Sequence, residues 1–285
     1  MTVWDADWLE RQYNNRAAVP EHPVIFERWD QSSMLARSRM TARLDVAYGP
    51  SSAETLDVFP AARSGSPVLV FIHGGWWRSL DKKDFSFVAP AFVHAGAAVV
   101  VPNYGLCPSV DMPTIALQMV RALIWTFRNI ERFGGDPERI VVAGHSAGGH
   151  LAAMLLCCDW RSQGDDLPTG LVKAALSISG LYDLDAISQI GFLKGDLKLS
   201  PAQVERLSPA RFPAPARPLI TVVGADESAE FHRHNQLIRD AWGPVAVPQV
   251  ESVPDTNHFT VLHALVDPQA RLHQLALELL GLSAA

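Results

Sequence analysis

The sequence predicts an α/β protein: a mostly parallel, eight-stranded, doubly wound sheet flanked by helices, with a small cap. Three observations carry that expectation. Residues 68–72, 97–101, 140–143, 174–178 and 219–223 are short runs that are apolar on both faces, the mark of strands buried between two layers of helices. Helical patterns lie between these runs, and strand–helix alternation implies a parallel sheet. The chain has 285 residues, 48% of them apolar, which suits one large core rather than a disordered chain.

Residues 1–40 precede the first strand as an N-terminal arm. Leu44, Val46 and Tyr48 alternate, as do Leu56 and Val58, so two half-buried strands flank the turn Gly49-Pro50-Ser51-Ser52. They fit an antiparallel start. The third strand, 68–72, leads to a helix over 81–94 that ends at Gly96. After the strand 97–101, a longer helix spans 113–133, with Ile115, Met119, Leu123 and Ile130 near helical spacing and a stop at Gly134-Gly135. Strand 140–143 is followed by a helix over 149–158, and strand 174–178 by an irregular stretch, 184–217. That stretch carries Pro201, Pro209, Pro213 and Pro215 and reads as a cap over the carboxyl edge of the sheet, where open α/β folds bind ligands. Strand 219–223, a helix over 228–242, an eighth strand over 245–250 and a helix over 267–280 complete one domain, 1–285. The chain has no internal repeat.

Lys plus Arg total 24 and Asp plus Glu 30, a formal net charge of −6, which disfavours nucleic acid as a partner. No apolar run approaches the roughly 18–20 residues of a membrane helix. Residues 1–11 lack the basic and apolar regions of a secretory signal, so a cytoplasmic protein is expected. Cys107, Cys157 and Cys158 make neither a disulfide framework nor a zinc spacing. A homodimer is left open.

The chemistry begins at Gly144-His145-Ser146-Ala147-Gly148. A G-x-S-x-G between a buried strand and a helix is a nucleophile elbow. Its turn is so tight that the neighbours must be small, and the helix that follows directs its amides toward developing negative charge. His73-Gly74-Gly75-Trp76-Trp77 follows the strand at 68–72. In elbow hydrolases such a loop supplies oxyanion-hole amides beside the one after the nucleophile, here from among Gly74, Gly75, Trp76 and Ala147. Elbow enzymes run serine, acid, histidine. After the strand at 219–223 come Asp226 and Glu227; after the eighth strand comes His258, where the base belongs. Asp183, after the preceding strand, is a third acid to weigh. Glu227 is preferred because it stands fourth in a G-x-x-E turn from Gly224. Of the other histidines, His73 reads as a brace for its loop. His145 and His150 flank the elbow, and His232 and His234 face different ways on one helix. No metal motif is present.

The chain resembles the kynurenine formamidase (arylformamidase) family of α/β-hydrolases, near the hormone-sensitive-lipase-like esterases. The likeness covers 44–49, 73–77, 103–108 and 144–150, then Asp159-Trp160, 179–184, 230–233 and Asn257-His258-Phe259. The run Glu227-Ser228-Ala229-Glu230-Phe231 matches the family's acid-Ser-x-Glu-Phe pattern and gives the same register for the acid. The resemblance implies an α/β-hydrolase fold and a Ser–acid–His enzyme without cofactor that removes the formyl group of N-formylkynurenine in tryptophan catabolism; with Glu227 where the family commonly has Asp, the expected triad here is Ser-Glu-His, Ser146, Glu227 and His258. Trp76, Trp77, Tyr104 and Tyr182 are the expected aromatic walls of a small-molecule pocket. A carboxylesterase for short aryl or alkyl esters is the alternative, and a non-catalytic binding module the minor one.

Overall fold

The computed structural model describes residues 4–282; the first three residues of the arm lie outside them. Three helices come first: α1 (Ala6–Tyr13), α2 (Asn15–Ala18) and α3 (His22–Arg39). The sheet strands are β1 (Arg43–Ala47), β2 (Thr55–Phe59), β3 (Ser66–Ile72), β4 (Ala98–Pro102), β5 (Gly135–His145), β6 (Val172–Ile178), β7 (Leu219–Gly224) and β8 (Gln249–Val253). Their order in space is β1-β2-β4-β3-β5-β6-β7-β8. Only the β1–β2 and β2–β4 pairings are antiparallel; the sheet from β4 to β8 is parallel.

Along β3 the side chains alternate between two cores. Val68, Val70 and Ile72 face one, and Leu69 and Phe71 face the other, as a strand buried on both sides requires. The first core takes Ile115 and Met119 of α5 (Met112–Asn129), after α4 (Ala89–His94), and Leu151 of α6 (Ala147–Leu156). The second takes Phe92 of α4 and Trp29 of α3. It is completed by the last two helices, α10 (Val261–Val266) and α11 (Arg271–Leu280).

Several boundaries differ from the sequence reading: β5 is longer than 140–143, the helix read over 81–94 is α-helical only from Ala89, and the last helix starts at Arg271 rather than 267. The stretch 184–217 is not irregular throughout: it holds α7 (Gly191–Leu197) and α8 (Pro201–Leu207), the latter started by a Ser200–Gln203 capping box. Helix α9 (Ala229–Ala246) runs past Trp242, because Gly243 at φ 78° bends the chain and Pro244 opens a last turn. The eighth strand therefore starts at Gln249, and Val245, read as part of it, is 91% exposed. Helix α6 begins directly after Ser146 rather than near Gly149. Among the described residues no helix is long and apolar enough to cross a membrane.

A buried charge cluster fixes α3 to the antiparallel edge. Asp57 of β2 is fully buried and accepts from Lys82 Nζ at 2.7 Å and from Arg37 of α3. Lys82 also reaches Asp45 at 2.5 Å, and that hydrogen bond, against the opposing effect of burial, holds the Asp45 carboxyl below its usual pKa. Removing one member of such a cluster strands the others without compensation. Asp57→Ala is accordingly expected to cost about 3–5 kcal/mol of stability, read as a lower urea midpoint. A loss under about 1 kcal/mol would mean that the cluster is solvated and weak.

Candidate active site

Ser146 sits where β5 turns into α6, with φ 57° and ψ −118°, a conformation a non-glycine residue holds only when its surroundings impose it. The surroundings leave no alternative. A Cβ at Gly144 would lie 2.1 Å from the Gly148 carbonyl oxygen, and one at Gly148 would lie 2.0 Å from that of Ile72. The Ser146 amide donates to Ile178 O at 2.8 Å. The small residues of the motif are thus a steric requirement.

His258 Nε2 lies 3.1 Å from Ser146 Oγ, and His258 Nδ1 lies 2.6 Å from Glu227 Oε2. The other Glu227 oxygen accepts from the Gly224 amide at 2.7 Å and from Ser179 Oγ at 2.5 Å. Geometry separates the three acids. Asp226 is exposed. Asp183 is engaged with Arg211 at 2.9 Å. Glu227 alone of the three reaches His258. His258 is held from several sides: its carbonyl accepts from His145 Nε2 at 2.7 Å, its ring lies 4.6 Å from that of Phe231, and Asn257 Oδ1 ties down the amides of Phe259 and Thr260. Burial first, and then the nearby His258, push the His145 pKa well below its usual value, so His145 serves as a neutral donor. Ser179 was not legible as a partner of the acid; only its place in the run 179–184 marked it.

The glycine loop after β3 is strained too. Gly75, Trp76 and Trp77 have φ of 110°, 55° and 55°. Cβ at Gly74 would meet His145 O at 2.8 Å and Ser146 Cβ at 3.1 Å, so the loop lies directly on the elbow. Among the described residues the amides of Gly75 and Trp76 have no acceptor, and that of Ala147 is the first of α6, where no intrahelical partner exists. His73 braces this loop, stacked on Tyr104 at 4.2 Å and bonded to Asn103 Oδ1 at 3.2 Å.

A cavity of about 30 Å³ lies over Ser146 and His258. Of the four expected aromatic walls only Trp76 lines it. Trp77 is fully buried edge-on to His150, Tyr104 donates its hydroxyl to His73 O at 2.9 Å, and the buried Tyr182 hydroxyl donates to Ser177 Oγ at 2.7 Å. These three support the loops from beneath, because their polar atoms have partners inside or their rings are needed in the core. The walls missed by the sequence are Asn15, Arg16, Phe26 and Trp29 of the arm, with Leu80, Phe85 and Phe259. Phe259 adjoins His258 in the run Asn257-His258-Phe259; no motif marks the other six, which come from separate parts of the chain. The arm is clamped by Tyr13, whose hydroxyl donates to Glu230 Oε2 at 2.7 Å and lies 3.2 Å from His234 Nε2.

The family model described as BD-FAE matches residues 56–205. The kynurenine formamidase of Danio rerio is 32% identical over 257 residues, 87% of this chain and 85% of the relative. The chain belongs to the kynurenine formamidase family of α/β-hydrolases. It is therefore a hydrolase. Esterase LipQ of Mycobacterium tuberculosis is 34% identical over 151 residues, 49% of this chain and 35% of that protein. A solved structure from Silicibacter sp. TM1040, described as a thioesterase, superposes with a TM-score of 0.81 at 27% identity, covering 96% of this chain and 97% of that one. The hydrolase thus carries its elbow serine, late histidine and acid in the order usual for this fold.

Two further histidines make the fold sensitive to acid. Burial pushes His150 to about 4 and His234 to about 3. In the unfolded chain both bind a proton near pH 6.5. Between those values the unfolded state holds more protons, so stability falls as pH falls and is flat above about 7. At pH 5 each histidine is expected to remove about 2 kcal/mol, measured as a drop in urea midpoint from pH 7 to 5. A midpoint that did not move would show these rings to be protonated in the folded protein.

Proposed function

We propose that this hydrolase removes a formyl group from an aromatic amine by acyl transfer through Ser146. His258 takes the Ser146 proton as Oγ attacks the carbonyl carbon. The amides of Gly75, Trp76 and Ala147 receive the developing oxyanion, with Gly74 as the contact between loop and elbow. Glu227 orients the imidazole and stabilises its charged form. His258 then passes the proton to the departing nitrogen, and a water activated by the same ring releases formate. The acyl-enzyme carries the formyl group on Ser146 Oγ between these two steps.

The observation that carries the reading is the size of the cavity at the nucleophile. About 30 Å³, walled by Trp76, Phe26, Trp29, Phe85 and Phe259, is room for roughly one or two water-sized groups. A one-carbon acyl group fits it, and a long chain does not. A second cavity of about 370 Å³ shares Trp76 and Arg16 with the first, and its size suits an aryl leaving group. The formamidase names of the full-length relatives support the same choice. A short-chain carboxylesterase is the second reading, favoured by the likeness to LipQ and by alkoxides leaving more readily than amines.

Ser146→Ala is expected to lower kcat by about 10³–10⁶ with the melting temperature unchanged. Near-normal turnover in that folded variant would remove the mechanism. Within one leaving group, kcat/KM should fall from formyl through acetyl to butyryl and octanoyl, by more than about tenfold over the series, since overpacking such a site costs roughly 1–3 kcal/mol. A steady rise toward octanoyl would replace the formyl pocket with a lipase-like one. Equal rates for formyl and acetyl esters beside inert formanilides would select the esterase.

A further inference from the structure

Two cavities of opposite character meet at His258. The one over Ser146, about 30 Å³, is walled mainly by aromatic rings. The other, about 210 Å³, lies on the Glu227 side of the histidine and is lined by Gln12, Asp226, Glu227, Ser228 and Asn257 among others. The exposed Arg11, Glu21 and Asp226 border it, so it reaches the surface. Its size and polar lining suit several waters. Asn15 of the arm and His258 line both cavities. Asn15 is 7% exposed, and its Nδ2 is buried without a partner among the described residues.

An unpaired buried donor is destabilising, and folded proteins commonly satisfy such a group with water or put it to use. Attack by Ser146 does not need this one: the oxyanion is received by backbone amides of the loop and elbow. The second half of acyl transfer has a different requirement. A water must reach His258 Nε2 while the acyl group occupies the cavity over Ser146. That cavity holds a one-carbon acyl group and little more, and the outer cavity beside Trp76 and Phe192 is the space left for the departing half. The polar cavity is therefore the side from which water can arrive without waiting for the first product to clear. Asn15 stands where that cavity borders the one holding the nucleophile.

We infer that Asn15 is a positioning residue for the hydrolytic water, holding it beside His258 Nε2 for release of the acyl group. The inference rests on the acyl-transfer reading and adds a residue and a direction of entry to it. Asn15 Nδ2 donates to the water oxygen. The water gives one proton to His258 Nε2 as its oxygen bonds to the acyl carbon, and the carbonyl electron pair moves onto the oxygen held by the backbone amides. The bond from that carbon to Ser146 Oγ then breaks, and His258 returns the proton to Oγ. The acid leaves with the water's other hydrogen and ionises in solvent.

Hydrolysis of p-nitrophenyl acetate separates the two halves of the cycle, because nitrophenolate leaves in the first and water enters in the second. With so good a leaving group the second half limits the rate. In Asn15→Ala, kcat should fall about tenfold or more, with KM falling in step so that kcat/KM stays within about twofold of wild type. A burst of nitrophenolate should precede the slow steady state, and intact mass should show the acetyl-enzyme accumulating. Hydroxylamine, which attacks an acyl carbon without first being deprotonated, should return the variant's turnover toward that of wild type. The melting temperature should hold, since the deleted donor has no partner. A kcat/KM that falls along with kcat, at unchanged KM and with no burst, overturns the inference, because Asn15 would then act before the acyl-enzyme forms. A kcat equal to that of wild type overturns it as well. Ser146→Ala tests the reading beneath. If that variant releases nitrophenolate at near wild-type rates, or wild type releases none, the acyl-transfer reading fails and takes this inference with it. A failure confined to Asn15→Ala leaves that reading standing.

Discussion

Ser146 is held at a positive φ by contacts that admit nothing larger than hydrogen at Gly144 and Gly148. Most of the site is arranged around that turn. Because β5 ends in it, the hydroxyl stands above the carboxyl edge of the sheet. Because α6 begins in it, free amides and a positive helix end face the same spot. Because Gly148 packs on Ile72 and Gly74 on the His145 carbonyl, the glycine loop after β3 lies within reach of the serine. The strain costs roughly 1–3 kcal/mol per such residue, offset by the burial of the parallel strands around it. Strands β3, β4, β6 and β7 and the second half of β5, which leads into the elbow, are almost entirely inaccessible to solvent.

The second requirement is that the late histidine be placed to within a few tenths of an ångström. No single bond does this. The Glu227 carboxylate orients one ring nitrogen, and is itself oriented by a backbone amide and Ser179. His145 fixes the backbone of the residue, while Phe231 limits where the ring can tilt. The neutral state of His145 is part of that arrangement, since a second positive charge beside His258 would oppose the imidazolium that the proposed acyl transfer creates.

Closure of the site depends on the arm. Its outer part is fastened through Tyr13 to Glu230, which is also gripped by Arg233 at 2.8 Å, while α3 is fastened through Arg37 to Asp57. Between these fixed points the short helix α2 and residues Phe26 and Trp29 reach the cavity over Ser146. His234 accepts from the Tyr182 amide at 3.1 Å through Nδ1, which a doubly protonated ring could not do. The tether of α1 therefore shares the acid sensitivity of the core.

Local constraints were readable without the structure. The tight turn forces glycine at fixed spacing, so the elbow is written in five consecutive residues, and the G-x-x-E turn after Gly224 is equally local. Buried parallel strands betray themselves by being apolar on both faces, so the sheet was legible apart from its last strand, where Gly243-Pro244 extends a helix through an apolar stretch, and its first two, read as half-buried, of which β1 is mostly exposed and β2 buried on both faces. What only the tertiary structure decided is which aromatic rings line the cavity over Ser146. Trp77, Tyr104 and Tyr182 stand beside the motifs in sequence yet point into the core, whereas Phe26, Trp29 and Phe85 come from distant segments, and Phe259, next to His258, does reach the cavity. The side of a loop that a ring presents is set by packing against elements remote in the chain, and neither period nor spacing encodes it. The same reason hid the arm: forty residues without a catalytic motif acquire their role from where Tyr13 and Arg37 find partners.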